Sequence, residues 1–416
     1  MGKLSESEKK RRKRILGGMF HKEYEKSIYK CTTDSKIYID YRKKIVYNKE
    51  KQIPREGRRL LMKITKTSFG TTKNGEKATL YTMENSNGMK VSVTDYGASI
   101  VHIIVPDRDG NMADVSLGYD DVKGYDENGT YYGAFIGRNG NRIGNACFTI
   151  NGVKYELDKN DGPNNLHGGF KGYNNFFYET ECFEDAEGEV SVEMSRLSPD
   201  MEQGFPGNLD ITVTYTLTEE NELAIEYLAV SDKDTVVNLT NHTFFNLGGH
   251  DSGTILDHKV FIDADYFTPT DDRLIPSGEL RPVEGTPMDF REEQTIGDRI
   301  DADYKPLTQA GGYDHNYVLN NSGEDVEYVA SLYDPKSGRR MEVFTDLPGM
   351  QLYAGNFIDG KAKGKGGKVY LKREGVCFET QLFPDACNEK EFFKSSVVKA
   401  FEEYSTMTVY KFTVEK

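Results

Sequence analysis

The sequence predicts an all-β fold, organised as a large antiparallel β-sandwich. Several segments alternate apolar and polar residues, the 416-residue chain holds 26 Tyr and 22 Phe, and apolar runs at helical spacing are scarce. Aromatic residues favour strands, and period-two alternation is typical of a strand with one buried face. Sandwiches of this size often form one domain, so the length alone does not set the number of domains.

The clearest strand is Leu209–Leu217, in which Leu, Ile, Val and Tyr alternate with Asp and Thr. A turn at 218–221 leads into a returning strand over 223–227. The pair Asn151-Gly152 predicts a type I′ hairpin between two further strands. The remaining predictions are strands at 90–105, 148–150, 153–157, 258–263, 328–333, 341–345, 368–383 and 406–414, and a short helix near 291–301.

A carboxylate interrupts one of the most apolar strands. The segment Val376–Phe383 stops at Pro384, and its alternation places Glu379 and Gln381 on one face and Phe378 on the other. Burying a carboxylate in such a strand is costly unless it has partners. A buried ion pair with an arginine would explain Glu379 structurally, and a catalytic role would explain it functionally.

Charge is unevenly distributed along the chain. Residues 1–61 carry 19 Lys and Arg against 8 Asp and Glu, whereas residues 62–416 carry 34 against 59, a net charge of −25. This acidic main body argues against nucleic-acid partners and against binding to an anionic membrane. The five cysteines form no C-x-x-C pair, no apolar run reaches membrane-spanning length, and no apolar signal segment follows the basic start. A cytoplasmic location is therefore expected.

Residues 1–61 are predicted to be a basic N-terminal extension. The run Lys9–Arg14 fits a nuclear-type or nucleic-acid-binding patch as well as a solvated, flexible tail. A third hypothesis makes 1–61 a translated leader, because one codon set for Glu56–Arg59 (GAA-GGA-AGG-AGA) contains a bacterial ribosome-binding sequence two codons before Met62. Residues 62–416 would then form the β-sandwich domain.

Six segments combine hydrogen-bonding side chains with glycine turns, which core strands do not do. They are Gly137–Ile143, Asn164–Gly169, Leu239–Gly249, Gly311–Tyr317, Pro348–Asn356 and Gly375–Asn388. Taken singly, each has an ordinary structural explanation. His242 fits a satisfied buried histidine, His167 a turn and Asp314 an Asx-turn. Arg138 and Arg142 fit surface partners of this acidic protein's carboxylates.

The sequence lacks the usual motifs of zinc enzymes, of serine hydrolases and of nucleotide-binding proteins. A set of His, Asp and Glu makes metal binding a competitor, but no two histidines have the i, i+4 spacing of a zinc enzyme. Neither G-x-S-x-G, G-x-G-x-x-G nor a P-loop occurs. Acid–base chemistry remains: a strand-held carboxylate and a histidine, surrounded by Asn, Arg, Asp and Gln, suit a ligand rich in hydroxyl groups.

Taken together and in order, the six segments resemble the aldose 1-epimerases, or galactose mutarotases. The shared motifs are Asn-Arg-Ile, Asn-Leu-His-Gly-Gly, Thr-Asn-His, Tyr-Asp-His-Asn, Pro-Gly-x-Gln and Glu-Thr-Gln-x-x-Pro-Asp-Ala. The resemblance implies a galactose mutarotase-like β-supersandwich with an open sugar cleft on one face. By motif position, Glu379 would be the general base and His242 the general acid. Sugar-binding roles would fall to Asn141, Arg142, His167, Asp314 and Gln351.

The activity implied by the resemblance is interconversion of the α and β anomers of free hexoses such as D-galactose and D-glucose. The base would deprotonate the C1 hydroxyl while the acid protonates the ring oxygen; the ring opens, the C1–C2 bond rotates, and the ring closes on its other face. No metal or organic cofactor is implied, the expected partner is a free aldose, and a monomer or a homodimer is expected. Two alternatives stay open: an epimerase of hexose 6-phosphates, and a sugar-binding module without catalysis.

The leader hypothesis predicts that the native protein begins at Met62. N-terminal sequencing of the protein isolated from its own cells should therefore find no residue before Met62. Any earlier residue in the mature chain would refute the hypothesis.

Overall fold

Antiparallel strands are the main regular structure of the described residues. The computed structural model describes residues 63–184, 189–388 and 394–416. The predicted extension, residues 1–61, lies outside the described residues, so its nature and the predicted domain boundary stay predictions. The all-β prediction is confirmed.

The strands follow one another in short succession along the described chain. They are β1 Lys63–Thr71, β2 Lys77–Glu84, β3 Lys90–Thr94, β4 Ile100–Pro106, β5 Met112–Asp114, β6 Ala134–Ile136, β7 Arg142–Ile143, β8 Cys147–Ile150, β9 Val153–Glu156, β10 Asn165–Leu166, β11 Glu179–Glu184, β12 Val190–Ser198, β13 Leu209–Leu217, β14 Glu222–Ser231, β15 Thr235–Val236, β16 Thr240–His242, β17 Lys259–Ile262, β18 Tyr266–Phe267, β19 Arg281–Pro282, β20 Gln294–Thr295, β21 Asp314–Val318, β22 Glu327–Tyr333, β23 Arg339–Thr345, β24 Gly349–Tyr353, β25 Cys377–Gln381, β26 Val397–Val398 and β27 Glu403–Val414.

Helices are short and few in the same residues. They are α1 Val122–Glu127, α2 Ile296–Arg299 and α3 Lys305–Ala310. None of them is long and apolar enough to cross a membrane. The helix expected near 291–301 is found as α2.

Three large sheets organise the strands. The largest has nine strands in the order β11-β12-β13-β14-β27-β23-β22-β17-β20. One five-stranded sheet runs β1-β2-β3-β4-β5, and a second runs β19-β18-β21-β24-β25. Two-stranded sheets pair β6 with β16, β7 with β10, β8 with β9, and β15 with β26. The pairings between these strands are antiparallel, as the alternation in the sequence predicts.

One hydrophobic cluster joins the nine-stranded sheet to both five-stranded sheets. Alternate residues of β13, from Leu209 to Leu217, are buried in it together with Val91 of β3, Leu352 of β24 and Phe378 of β25. Since successive strand residues point to opposite faces, this burial leaves the other face of β24 and β25 for different side chains. The packed sheets form the predicted sandwich.

Local turns explain where the strand predictions hold and where they fail. The Asn151-Gly152 hairpin is confirmed, because both residues have positive φ, 52° and 80°, as a type I′ turn requires. The strand predicted over 90–105 is instead two strands, β3 and β4, because Gly97 and Ala98 take positive φ and turn the chain between them. Most of the strand predicted over 368–383 is a loop.

That loop has a local cause. Arg373 has a φ of 66°, and the backbone N–H of Leu371 donates to the Glu374 carboxylate at 3.0 Å, which together close a turn. Pairing with β24 then covers only Cys377–Gln381. The central part of the predicted strand, including Glu379, is therefore correct.

The back of β25 should carry much of the stability of this region. Phe378 is 0% exposed within the large cluster, so Phe378→Ala should lower the free energy of unfolding by about 3–5 kcal/mol. Phe170→Ala is the matched control, because Phe170 is 71% exposed, and its change should stay within about 0.5 kcal/mol. Urea titration of both variants measures the difference; equal small losses would contradict the assigned core.

Candidate active site

Three neighbouring strands, β21, β24 and β25, carry side chains in cross-strand rows on one face. One row contains Asp314, Tyr353 and Cys377, and the next contains Asn316, Gln351 and Glu379. Residues directly opposite one another on antiparallel strands have adjacent side chains. The sheet therefore brings together three predicted site residues that lie far apart in sequence, Asp314, Gln351 and Glu379.

The remaining predicted residues come from two small sheets beside this face. His242 ends β16, which pairs with β6. Arg142 begins β7, which pairs with β10, and His167 follows β10 directly. Asn141 precedes Arg142 with a φ of 59°, and its backbone N–H and C=O both bond to His167. These two short pairings hold a second wall of polar side chains.

Apart from Asn316 and Cys377, these side chains line one cavity of about 530 Å³. The predicted site residues that the structure brings to it are Asn141, Arg142, His167, His242, Asp314, Gln351 and Glu379. Arg138 is not among them. It is 2% exposed and donates hydrogen bonds to the carbonyl oxygens of Pro206 and Gly207, so it is neither a surface partner nor a site residue.

Glu379 and His242 form a buried pair in the cavity. Glu379 is 2% exposed and His242 5% exposed, and Glu379 Oε1 lies 3.5 Å from His242 Nε2. Among the described residues, Glu379 Oε2 has no hydrogen-bond partner. The imidazole Nδ1 lies 3.6 Å from the Cys377 thiol. The pair can exchange a proton with a bound molecule while one carboxylate oxygen remains available to it.

Burial moves the two proton affinities in opposite directions. It raises the pKa of Glu379 well above its usual value, and the Asp314 charge raises that pKa further while Arg142 opposes the shift. Burial also lowers the pKa of His242 to about 4. The free site therefore favours a protonated Glu379 and a neutral His242. Perturbed pairs of this kind in a cleft are typical of acid–base sites.

A metal ion is sterically possible here, but the histidine chemistry does not favour it. Single ligand atoms of His167, His242 and Glu379 lie within 4.8 Å of one another. Burial holds the pKa of His167 well below its usual value, so its imidazole is neutral, and its Nδ1 accepts the Asn141 N–H at 3.2 Å. The proton of His167 therefore lies on Nε2, where a ligand would need a lone pair. The cluster suits hydrogen bonding and proton transfer better than metal coordination.

Asp314, Gln351 and Arg142 form the polar part of the wall. Gln351 Nε2 donates to Asp314 Oδ1 at 2.6 Å. Burial raises the pKa of Asp314, and both the Arg142 charge and the Gln351 hydrogen bond oppose that rise. Arg142 Nε donates to Asp161 at 2.8 Å, which fixes the plane of the guanidinium group. These groups present fixed donors and acceptors to the cavity.

Aromatic residues also line the cavity, although none is among the predicted site residues. Those lining the cavity are Tyr131, Tyr132, Phe244, Tyr353, Phe357 and Tyr370. The ring of Tyr131 lies 4.9 Å from His167 and 5.7 Å from His242, and Phe357 stacks on Tyr353 at 6.1 Å. Among 48 Tyr and Phe, only two of these six rings, Phe244 and Tyr353, lie in one of the six motif segments; no local pattern distinguishes the other four from core aromatics.

Known proteins resemble this chain in sequence and in fold. The family model for aldose 1-epimerase matches residues 79–411. Galactose mutarotase from Rattus norvegicus is 40% identical over 85% of this chain and 100% of that protein. Aldose 1-epimerase from Escherichia coli is 34% identical over 82% of this chain and 97% of that protein.

A solved structure agrees with these matches. The structure of a galactose 1-epimerase from Lactobacillus acidophilus superimposes with a TM-score of 0.75 and 28% identity, covering 85% of this chain and 100% of that one. The expected mutarotase-like β-sandwich is thus confirmed. Six ordered motifs, the matched family model and these relatives agree, and the chain belongs to the aldose 1-epimerase family.

Proposed function

We propose that this protein interconverts the α and β anomers of free aldoses such as D-galactose and D-glucose, with Glu379 as general base and His242 as general acid. The observation that carries these roles is the 3.5 Å contact between Glu379 Oε1 and His242 Nε2 in a buried part of the cavity. Anomer interconversion needs one group that accepts a proton and one that donates a proton, placed on the same sugar edge.

Ring opening follows from this placement. Glu379 removes the proton of the C1 hydroxyl while His242 Nε2 protonates the ring oxygen, so the C1–O5 bond breaks and a C1 aldehyde forms. Rotation about C1–C2 presents the other face of the aldehyde to the ring oxygen. Ring closure reverses both transfers and gives the other anomer. Each positioned transfer contributes about 10²–10⁴-fold to the rate.

The pair conserves its proton through the cycle. Before ring opening the proton lies on His242, and after it the proton lies on Glu379; the net charge of the pair is the same in both arrangements. The opposite pKa shifts of the free site favour the second arrangement, in which Glu379 carries the proton, so the pair has to move this proton to His242 before it can open a ring. Ring opening leaves the proton on Glu379, and ring closure returns it to His242. Each step therefore prepares the pair for the other, and no proton from solvent is needed.

Substrate binding falls to the groups around this pair. Asp314 and Gln351 offer a carboxylate and an amide to sugar hydroxyl groups, and His167 offers the N–H at Nε2. The tethered guanidinium of Arg142 offers its remaining N–H groups, and Asn141 lies beside it. The aromatic rings of the cavity suit the apolar face of a sugar ring.

The basic residues of the cavity favour a free sugar over a sugar phosphate. Within the described residues, two basic side chains line it, Arg142 and Lys361. Each is paired with an aspartate: Arg142 with Asp161 at 2.8 Å, and Lys361 with Asp359 at 2.7 Å. A phosphate group would have to compete with these carboxylates. The monomeric or homodimeric state and the cytoplasmic location stay predictions.

Polarimetry tests the catalytic roles. On freshly dissolved α-D-galactose, the wild type should speed the approach to anomeric equilibrium, and Glu379→Gln should lower kcat/KM about 10²–10⁴-fold because the general base is lost. Glu181→Gln makes the same chemical change on the exposed strand β11 and should leave the rate unchanged. A Glu379→Gln variant with wild-type activity would remove Glu379 as the base. A wild type that accelerates neither galactose nor glucose would reject free hexoses as substrates.

The raised pKa of Glu379 has a consequence for stability. Above pH 4.5 the unfolded chain loses the Glu379 proton, whereas the folded protein keeps it until the pH passes the higher folded-state pKa. The free energy of unfolding therefore falls as the pH rises through that window. Glu379→Gln has no such loss, so its stability advantage over the wild type should grow with pH. Urea titrations at about pH 5 and about pH 8 measure this advantage, and an advantage independent of pH would contradict the raised pKa.

A further inference from the structure

A chain of side-chain hydrogen bonds runs behind the proposed sugar site and ends at Asp314. Gln381 Nε2 donates to Asn316 Oδ1 at 3.0 Å and to Gln351 Oε1 at 3.3 Å, and Gln351 Nε2 donates to Asp314 Oδ1 at 2.6 Å. Asn316, Gln381 and Gln351 are buried. We call these three residues the amide relay. It connects β21, β24 and β25 on the face that carries Glu379.

The relay has a defined direction. An amide side chain has one donor end and one acceptor end. Because the NH₂ group of Gln381 donates a hydrogen bond to the side-chain oxygen of Gln351, the NH₂ group of Gln351 has to face Asp314. The reverse orientation of Gln351 would place its oxygen against the Asp314 carboxylate and its NH₂ group against that of Gln381. Gln381 and the Asp314 carboxylate therefore both require the same orientation of the Gln351 amide.

A glycine makes room for this contact. Gly349 lies directly opposite Gln381 in the register of β24 and β25. A Cβ atom on Gly349 would lie 2.7 Å from Asn316 Oδ1 and 2.8 Å from the ring of Phe383. Any side chain here would displace the acceptor that holds Gln381.

Packing alone does not account for these amides. Within the described part of the chain, Gln381 Oε1 and Asn316 Nδ2 are buried without a hydrogen-bond partner. Burying an unsatisfied polar group costs free energy, so an apolar side chain of similar volume would be cheaper at position 381. Buried polar groups that reduce stability in this way are expected where function requires them.

We propose that Gln381, held by Asn316, is a positioning residue that fixes the amide of Gln351 toward Asp314 and thereby sets the affinity of the site for the sugar. The proposal rests on the proposed sugar-binding roles of Asp314 and Gln351. Gln381 acts through Gln351 and does not itself touch the reacting atoms. Its loss lets Gln351 rotate, so the carboxylate of Asp314 loses a fixed donor and takes up more than one orientation.

Sugar binding and turnover of Gln381→Met test this role, because methionine has a similar length and no donor. The Kd for D-galactose, measured by calorimetry, and the KM should both rise about tenfold, which corresponds to about 1.4 kcal/mol, while kcat stays within about twofold. In a Gln351→Met background, adding Gln381→Met should raise Kd no further, because the relay is already broken. Gly349→Ala disturbs the same relay without removing a polar atom and should raise Kd in the same direction.

Thr380→Val is the matched control. Thr380 lies on the same strand but faces away from the site, where its hydroxyl bonds to that of Thr408. Its loss should lower stability and leave Kd and KM unchanged. A wild-type Kd in both Gln381→Met and Gly349→Ala would overturn the proposal, and so would additive effects of Gln381→Met and Gln351→Met. If the wild type binds galactose without epimerising it, the proposed function fails while Kd still tests the relay; a wild type that binds no galactose overturns both.

Discussion

The free-energy cost of burying one carboxyl group governs the arrangement of this site. For the proposed role of Glu379 burial is useful, because it raises the pKa of this carboxyl toward the range in which it can both take and return a proton. The same burial lowers the pKa of the neighbouring His242, so its imidazole is harder to protonate. In the proposed mechanism the two groups share one proton, which lies on His242 in one arrangement and on Glu379 in the other. The sheets, the polar wall and the aromatic lining surround this pair and bury it.

Rigidity comes from the other side of the strand that carries Glu379. Phe378 packs into the main cluster, and the backbone carbonyl of that residue accepts a hydrogen bond from Tyr410 of β27 at 2.8 Å. The strand that carries Glu379 is thereby fastened to the centre of the nine-stranded sheet. A site on sheet strands keeps its geometry better than a site on loops, which matters when proton transfer depends on sub-ångström distances.

Periodicity in the sequence predicted the fold, and motif order predicted the site. Strands such as Leu209–Leu217 have a local signal in their alternation, whereas the loop before β25 does not, because its turn depends on Arg373 in a left-handed conformation that no residue type dictates. All seven predicted site residues line one cavity. Their roles remain tied to the proposals above.

What the sequence could not supply were the contacts between distant segments. The position of Arg138 was left open because nothing local indicates that its guanidinium reaches carbonyl oxygens nearly seventy residues away. The aromatic residues of the cavity could not be predicted for the same reason, since Tyr131 and Phe357 resemble many other rings in the chain. The partners of Gln381 are likewise set by the register of three strands rather than by its neighbours in sequence.

The strict alternation along β25 also restricts how this enzyme can change during evolution. Core and site residues occupy successive positions there, so inserting or deleting one residue would turn Phe378 toward the sugar and Glu379 into the apolar core. Insertions and deletions are therefore not tolerated in this strand. A point substitution, in contrast, changes only the face on which its side chain lies. New substrate preferences have more freedom to arise in the two loop segments that border the cavity, 128–131 and 357–362, where length is not tied to a register. Laboratory libraries for altered sugars would do best to vary those loops and leave β25 intact.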